Sequence, residues 1–403
     1  MARGETRAAD GGESLTVTGL RQRNRAVALQ FIIRERETTR ADVARHGGLS
    51  SASAANIVGD LLADDLVVET RTVASRGGRP IAMLGPSLDG AYAIGVDVGE
   101  RGVAVELFDL GLNMIDREFR GGAHEESFEA IEADLRDAVA AVRARNGERW
   151  ERVRGIGLGL PGVVEANADG SHTLYAQSLG WEPRSIPGEL DGLPVFAENG
   201  ATTLARAELW FGGARGVDHA LVALLGRGVG LGVVTDGELY RGAFSSATEW
   251  GHTKVRFGGE VCRCGARGCV EAYVGAHALL TAWERVGGVF EGTGWTAIGQ
   301  LLDAAEHDVA AAGVLDTALE ALGAGLGSLV NLTNPQRIVL GGWVGLRLME
   351  RHPDRILDVI RRNSLQRAAS QFELVPATFG GDTVALGSAL MPIEALIHGA
   401  VAR

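Results

Sequence analysis

Apolar residues are spaced for helices at the start of the chain and gather into short buried runs further on. Residues 20–34 form an amphipathic stretch in which Ala26, Val27, Phe31 and Ile32 follow helical spacing. Thr39 is placed to cap a short helix over 40–46, and Gly47-Gly48-Leu49 supplies a turn. Ser50 then caps a third helix that buries Ala54, Ile57, Val58, Leu61 and Leu62, an i, i+3, i+4, i+7, i+8 stripe. Residues 66–70 alternate towards a strand, residues 75–80 (Ser-Arg-Gly-Gly-Arg-Pro) make a basic tip, and 81–84 return. Two helices around a Gly turn, followed by a hairpin, predict a winged helix-turn-helix over 20–86, with a disordered tail over 1–19. On pattern alone a plain three-helix bundle with a hairpin, used for dimerisation or protein docking, fits as well.

From residue 87 the pattern changes. Strand-like runs at 92–99, 103–108, 155–160, 193–199 and 220–225 alternate with helical stretches such as 128–145 and the one ending near Trp210. That alternation predicts an α/β body. Gly226-Arg227-Gly228-Val229-Gly230-Leu231-Gly232 runs on into a strand, whereas a dinucleotide-binding loop of this kind must open a helix, so that reading is discounted.

The length of 403 residues allows two or three domains, and 46% hydrophobic with 22% charged residues describes an ordinary globular chain. The 58 glycines read as a compositional habit. Residues 1–19 are polar and Gly-rich, without the look of a signal peptide, and Arg227 interrupts the best apolar run, so no membrane span is expected. The net charge of −12 is uneven: residues 1–80 carry 12 Arg against 10 acids, and the remainder 27 basic residues against 41 acids. Any contact with nucleic acid therefore belongs to the N-terminal part.

All three cysteines fall in one motif, Cys262-Arg263-Cys264-Gly265-Ala266-Arg267-Gly268-Cys269, with His252 ten residues upstream of the first. Three thiolates and an imidazole make a closed tetrahedral set suited to structural zinc. Gly265 and Gly268 permit the turns that bring the sulfurs together. The competing reading is a chance cluster or a disulfide, but a Cys-x-Cys pair bridges poorly and one thiol is left over. Free metal-binding thiols point to a reducing cytoplasm.

With Glu249-Trp250-Gly251-His252 before these cysteines and Glu271 after them, the chain resembles the ROK family of repressors, open reading frames and sugar kinases. The resemblance runs from about Leu20 to the C-terminus. It includes residues 331–342 (Asn-Leu-Thr-Asn-Pro-Gln-Arg-Ile-Val-Leu-Gly-Gly) and Gly78-Arg79-Pro80 of the wing. It implies a two-lobed actin-like, ribonuclease H-like sugar-kinase fold, with lobes over 87–197 and 198–403 and a C-terminal helix returning to the first. It also implies sugar contacts from Asn199, Glu249, His252 and Glu271, with Pro161 and Gly162 lining the same cleft. Glu249 and Glu271 could instead merely support the metal loop.

The departures from the family's kinases are specific. They carry Asp-x-Gly-Gly-Thr where this chain has Asp97-Val98-Gly99-Glu100-Arg101, which puts a carboxylate against the phosphates. They carry Glu-Asn-Asp-Ala-Asn where it has Glu198-Asn199-Gly200-Ala201-Thr202, and Gly200 cannot serve as the base. Arg227 replaces the Thr of the second phosphate loop. The expectation is a DNA-binding transcriptional regulator, a repressor, that senses a sugar or sugar derivative through a catalytically inactive kinase-like body, with zinc at His252, Cys262, Cys264 and Cys269. Candidate DNA contacts are Arg40, Ser51, Ser53, Asn56, Arg76 and Arg79. Its partners would be a double-stranded operator, a small sugar effector and a second copy or a dimer of dimers. An active sugar kinase with an appended DNA-binding domain is the alternative, and a body that only docks another protein is a third.

Overall fold

The computed structural model describes residues 17–74, 80–99, 102–121, 127–292, 294–380 and 383–400. Residues 1–16 of the expected tail, Arg76 and Arg79 at the wing, and Glu100 and Arg101 lie outside the described residues. The chain forms two compact units, residues 1–90 with 394–403, and residues 91–393.

The first unit holds helices Val17–Glu35, Arg40–His46 and Ser51–Ala63, then antiparallel strands Val67–Val73 and Ile81–Pro86. The first helix starts at Val17, so residues 17–19 are not part of a disordered tail. None of the three is a proline, and each adds to the helix end at modest cost. The caps are local and match the sequence: Thr39 Oγ1 accepts the Asp42 N–H at 3.1 Å, and Ser50 Oγ accepts the Ser53 N–H at 3.1 Å. The core face of the first helix is rotated from the expected one. Ala26, Leu29, Ile32 and Ile33 are buried, while Val27 and Phe31 are half-buried at its flank, where Phe31 stacks on His46 at 4.2 Å. Arg21–Asp60 and Arg25–Asp64 pairs, both at 2.6 Å, tie the first helix to the third.

The second unit contains two main sheets. The first runs Glu189–Leu190, Leu193–Asn199, Val153–Leu160, Tyr92–Gly99, Gly102–Asp109, Met114–Gly121. Its two central pairings are parallel and the outer ones antiparallel. The second runs Glu238–Leu239, Val229–Thr235, Ala220–Leu225, Arg337–Gly341, Glu373–Pro376. A three-stranded sheet, Val163–Ala166, His172–Tyr175 and Arg184–Ile186, follows the strand that ends at Leu160.

Several glycines are packing notches rather than a compositional habit. A Cβ on Gly95 would lie 2.0 Å from the Ala385 carbonyl, and one on Gly157 would lie 1.9 Å from that of Ser388. The helix Thr383–Ile397 therefore seats directly on two central strands of the first sheet, at a distance no other residue permits.

The expectation that no apolar run reaches membrane-spanning length is corrected by the helix Val309–Thr333, whose 25 residues are long and apolar enough to cross a bilayer. Half of its most apolar window is buried, and Leu315, Leu319, Leu322, Leu326 and Val330 lie in the core beside Trp250 and Ile356. This is the pattern of a core helix. Asp316 and Glu320, on its surface, pair with Arg355 and Arg362, and they obscure the run in the sequence.

Candidate functional site

The segment between the strand Val229–Thr235 and the helix Ala276–Arg285 carries the cysteine motif. Isolated antiparallel bridges Lys254↔Cys269 and Val261↔Arg267 fold it back on itself. Gly265 and Gly268 have φ of +86° and +75°, the left-handed region where a glycine is favoured. The Cys262 N–H donates to the Ala266 carbonyl at 2.8 Å, which closes the knuckle.

This folding brings His252, Cys262, Cys264 and Cys269 together, with all ligand atoms within 4.8 Å of one another. Cys262 Sγ lies 3.6 Å from His252 Nδ1, and Cys264 Sγ 3.8 Å from Cys269 Sγ. Tetrahedral zinc with Zn–S of about 2.3 Å and Zn–N of about 2.0–2.1 Å requires edges of about 3.8 Å for S···S and about 3.6 Å for S···N. The sulfurs are too far apart for a disulfide and all three cysteines are free. Burial pushes the Cys262 thiol up, with the Glu271 carboxylate adding to the effect. A bound cation reverses that balance and makes the thiolate. The residues fit a metal ion, and the donor set is compatible with zinc.

Glu249 and Glu271 flank this cluster. Glu271 is buried; its Oε2 accepts the Val229 N–H at 3.1 Å and its Oε1 lies 3.5 Å from Cys262 Sγ. It thereby joins the metal loop to the Gly226–Val229 turn. Glu249 Oε2 is 3.9 Å from His252 Nε2. Desolvation pushes the Glu249 carboxyl above its usual range, opposed by His252 and assisted by Glu271. The side chain keeps 40% of its surface in solvent, so water screens much of this.

The other predicted sugar residues form a second group. Asn199 caps the helix Gly200–Phe211: its Oδ1 accepts from the Ala201 and Thr202 N–H groups at 2.8 and 3.4 Å, and its Nδ2 donates to the Gly162 carbonyl at 2.7 Å. Asn199 thus fixes the Pro161-Gly162 turn, with one amide hydrogen beyond these bonds. A Cβ on Gly200, the position expected to match the kinases' base, would meet nothing closer than 3.7 Å, so the space there is open.

Three residues escaped the sequence reading. Lys254 Nζ is 2.8 Å from Cys269 Sγ and 3.1 Å from the His252 carbonyl, and the bond to Cys269 pushes its ammonium above the ordinary lysine range. Arg241 Nε donates to the buried Glu198 at 2.7 Å. Gln177 Nε2 donates to the Cys264 carbonyl at 3.0 Å, linking the connection between the last two strands of the three-stranded sheet to the metal loop.

In the first unit, Ser51, Ser53 and Asn56 are exposed on the helix Ser51–Ala63. Arg40 is held by Glu69 at 2.8 Å.

Residues 93–395 match the ROK family. The chain is similar to a xylose repressor of Caldicellulosiruptor bescii, 27% identical over 94% of this chain and 98% of the relative. A solved ROK family transcriptional regulator, a homolog of the E. coli MLC protein, superposes with a TM-score of 0.74 at 24% identity, over 94% of this chain and 97% of that one. A ROK family glucokinase from Streptomyces griseus, solved with glucose and AMPPNP, superposes with a TM-score of 0.61 at 27% identity, over 75% of this chain and 99% of that one. The body thus has the two-lobed actin-like sugar-kinase architecture.

Proposed function

The chain belongs to the ROK family, and on that basis we propose that it is a DNA-binding transcriptional repressor whose kinase-like body senses a sugar or a sugar derivative. The observation that carries this reading is the extent of each likeness. The glucokinase is covered almost whole by 75% of this chain, while the xylose repressor extends over 94%. The family match begins at residue 93, after the three helices and hairpin that a kinase does not need. That N-terminal unit, residues 20–86, is the DNA reader in this proposal. Ser51, Ser53 and Asn56 face the major groove, and Arg40, Arg76 and Arg79 supply phosphate and minor-groove contacts. A homodimer, or a dimer of dimers, would match a two-fold operator.

In the body, Glu249, His252 and Glu271 on one side and Asn199 with Pro161-Gly162 on the other would hold the sugar hydroxyls. His252, Cys262, Cys264 and Cys269 would hold structural zinc, which ties the sugar-facing carboxylates to a rigid loop. Thiols kept free for metal suit a cytoplasmic protein. Phosphoryl transfer is not expected, because Gly200 offers no base. The test is a mobility-shift assay on genomic fragments selected with purified protein, repeated with a panel of sugars. Retained binding after removal of residues 1–85 refutes the DNA-reading assignment. Sugar-dependent ATP consumption at about 1–100 per second, a rate typical of kinases, would favour an active kinase instead.

A further inference from the structure

We propose that Lys254 is a positioning residue of the metal centre, holding Cys269 as a charge-balanced thiolate that resists electrophiles. The inference rests on the metal reading above and goes beyond it. Lys254 and Cys269 are direct partners in an antiparallel bridge, which places their side chains on one face. The ammonium reaches two ligand residues at once, Cys269 through its sulfur at 2.8 Å and His252 through its carbonyl at 3.1 Å.

Charge gives the reason. Three thiolates and a neutral imidazole around a dication leave one net negative charge, and the Lys254 ammonium brings the set to zero. The Glu271 carboxylate, 3.5 Å from Cys262 Sγ, adds to that excess negative charge. Arg267, inside the motif, turns away and donates to the Gly259 carbonyl at 3.3 Å. A charged N–H donor withdraws electron density from the sulfur it touches, and a less electron-rich thiolate attacks electrophiles more slowly.

The experiment uses the full chain loaded with zinc. Zinc content of the unaltered protein is measured first, and its absence removes the metal reading and this inference together. The protein is then treated with excess N-ethylmaleimide at fixed pH, and zinc release is followed with a chromophoric chelator. Lys254→Met should release zinc about 10–100-fold faster, on the scale by which loss of an outer partner of a ligand weakens metal binding. Lys254→Arg, which keeps the charge and the donors, should remain close to the unaltered rate. In cobalt-loaded protein Lys254→Met should move the sulfur-to-metal charge-transfer band to longer wavelength. If Lys254→Met fails to hold metal, rescue by Lys254→Arg carries the same conclusion and lack of rescue overturns it. An unchanged release rate with an unmoved band also overturns it.

Discussion

Gly268 and Gly265 offer a matched pair of substitutions that separates backbone conformation from close packing. Both have positive φ, +75° and +86°. A Cβ on Gly265 meets nothing within 4 Å, whereas one on Gly268 would lie 1.7 Å from the Arg256 carbonyl oxygen. Gly265→Ala therefore carries only the left-handed strain, about 1–2 kcal/mol. Gly268→Ala carries the same strain and must also push two backbone segments apart by more than an ångström. That movement breaks the bonds that lace the loop: Gly268 N–H to the Glu260 carbonyl at 2.8 Å, and the Val255 and Arg256 N–H groups to the Gly268 carbonyl at 2.9 and 3.3 Å. At about 1 kcal/mol for each of two or three lost bonds, the total is roughly 3–5 kcal/mol. Cys269 is the next residue, so most of this should appear in metal affinity. Zinc binding should weaken about tenfold in Gly265→Ala and by roughly two to three and a half powers of ten in Gly268→Ala. Competition against a chelator of known affinity measures both. Equal effects in the two variants, within twofold, would refute the packing argument.

Other expectations concern the same region. Purified protein should contain about one zinc per chain by elemental analysis, and Cys264→Ser should abolish that content and lower the melting temperature, since structural metal contributes to folding. Glu271→Gln keeps an acceptor for the Val229 N–H but loses the charge, so it should retain the fold by circular dichroism while sugar no longer alters operator binding; a normal sugar response would exclude Glu271 from the ligand site. Gly200→Asp enters open space at a helix N-terminus, where a carboxylate is favoured, and should change stability by no more than about 1 kcal/mol in urea unfolding; a large loss would show that the position is not open.

What the sequence disclosed was local. Thr39 and Ser50 cap their helices because a cap needs only a hydroxyl two or three residues from the N–H it accepts. The metal ligands were legible because three of them span eight residues. The rest depended on tertiary partners. Periodicity pointed to Val27 and Phe31 along with Ala26 and Ile32, and the packing of the third helix and the hairpin put Leu29 and Ile33 in the core in place of the first two. Arg241 with Glu198, and Gln177 with Cys264, join residues far apart in the chain and leave no spacing to read. Asn199 matched a sugar contact by motif, yet most of its hydrogen-bonding capacity serves the helix cap and Gly162, which makes it a support of the cleft as much as a reader.

The seat of the helix Thr383–Ile397 on Gly95 and Gly157 has a consequence for biosynthesis. The strand Tyr92–Gly99 leaves the ribosome early, and the residues that cover its Gly95, Ala385 and Ala389, are among the last of the unit to be made. At about 5–20 residues per second the interval is roughly 15–60 s. For that time one face of the sheet, notched at its glycines and bare of its own helix, is exposed in a crowded cell. The body cannot reach its final state before that helix emerges, and chaperone demand should rise steeply for any variant that delays its arrival.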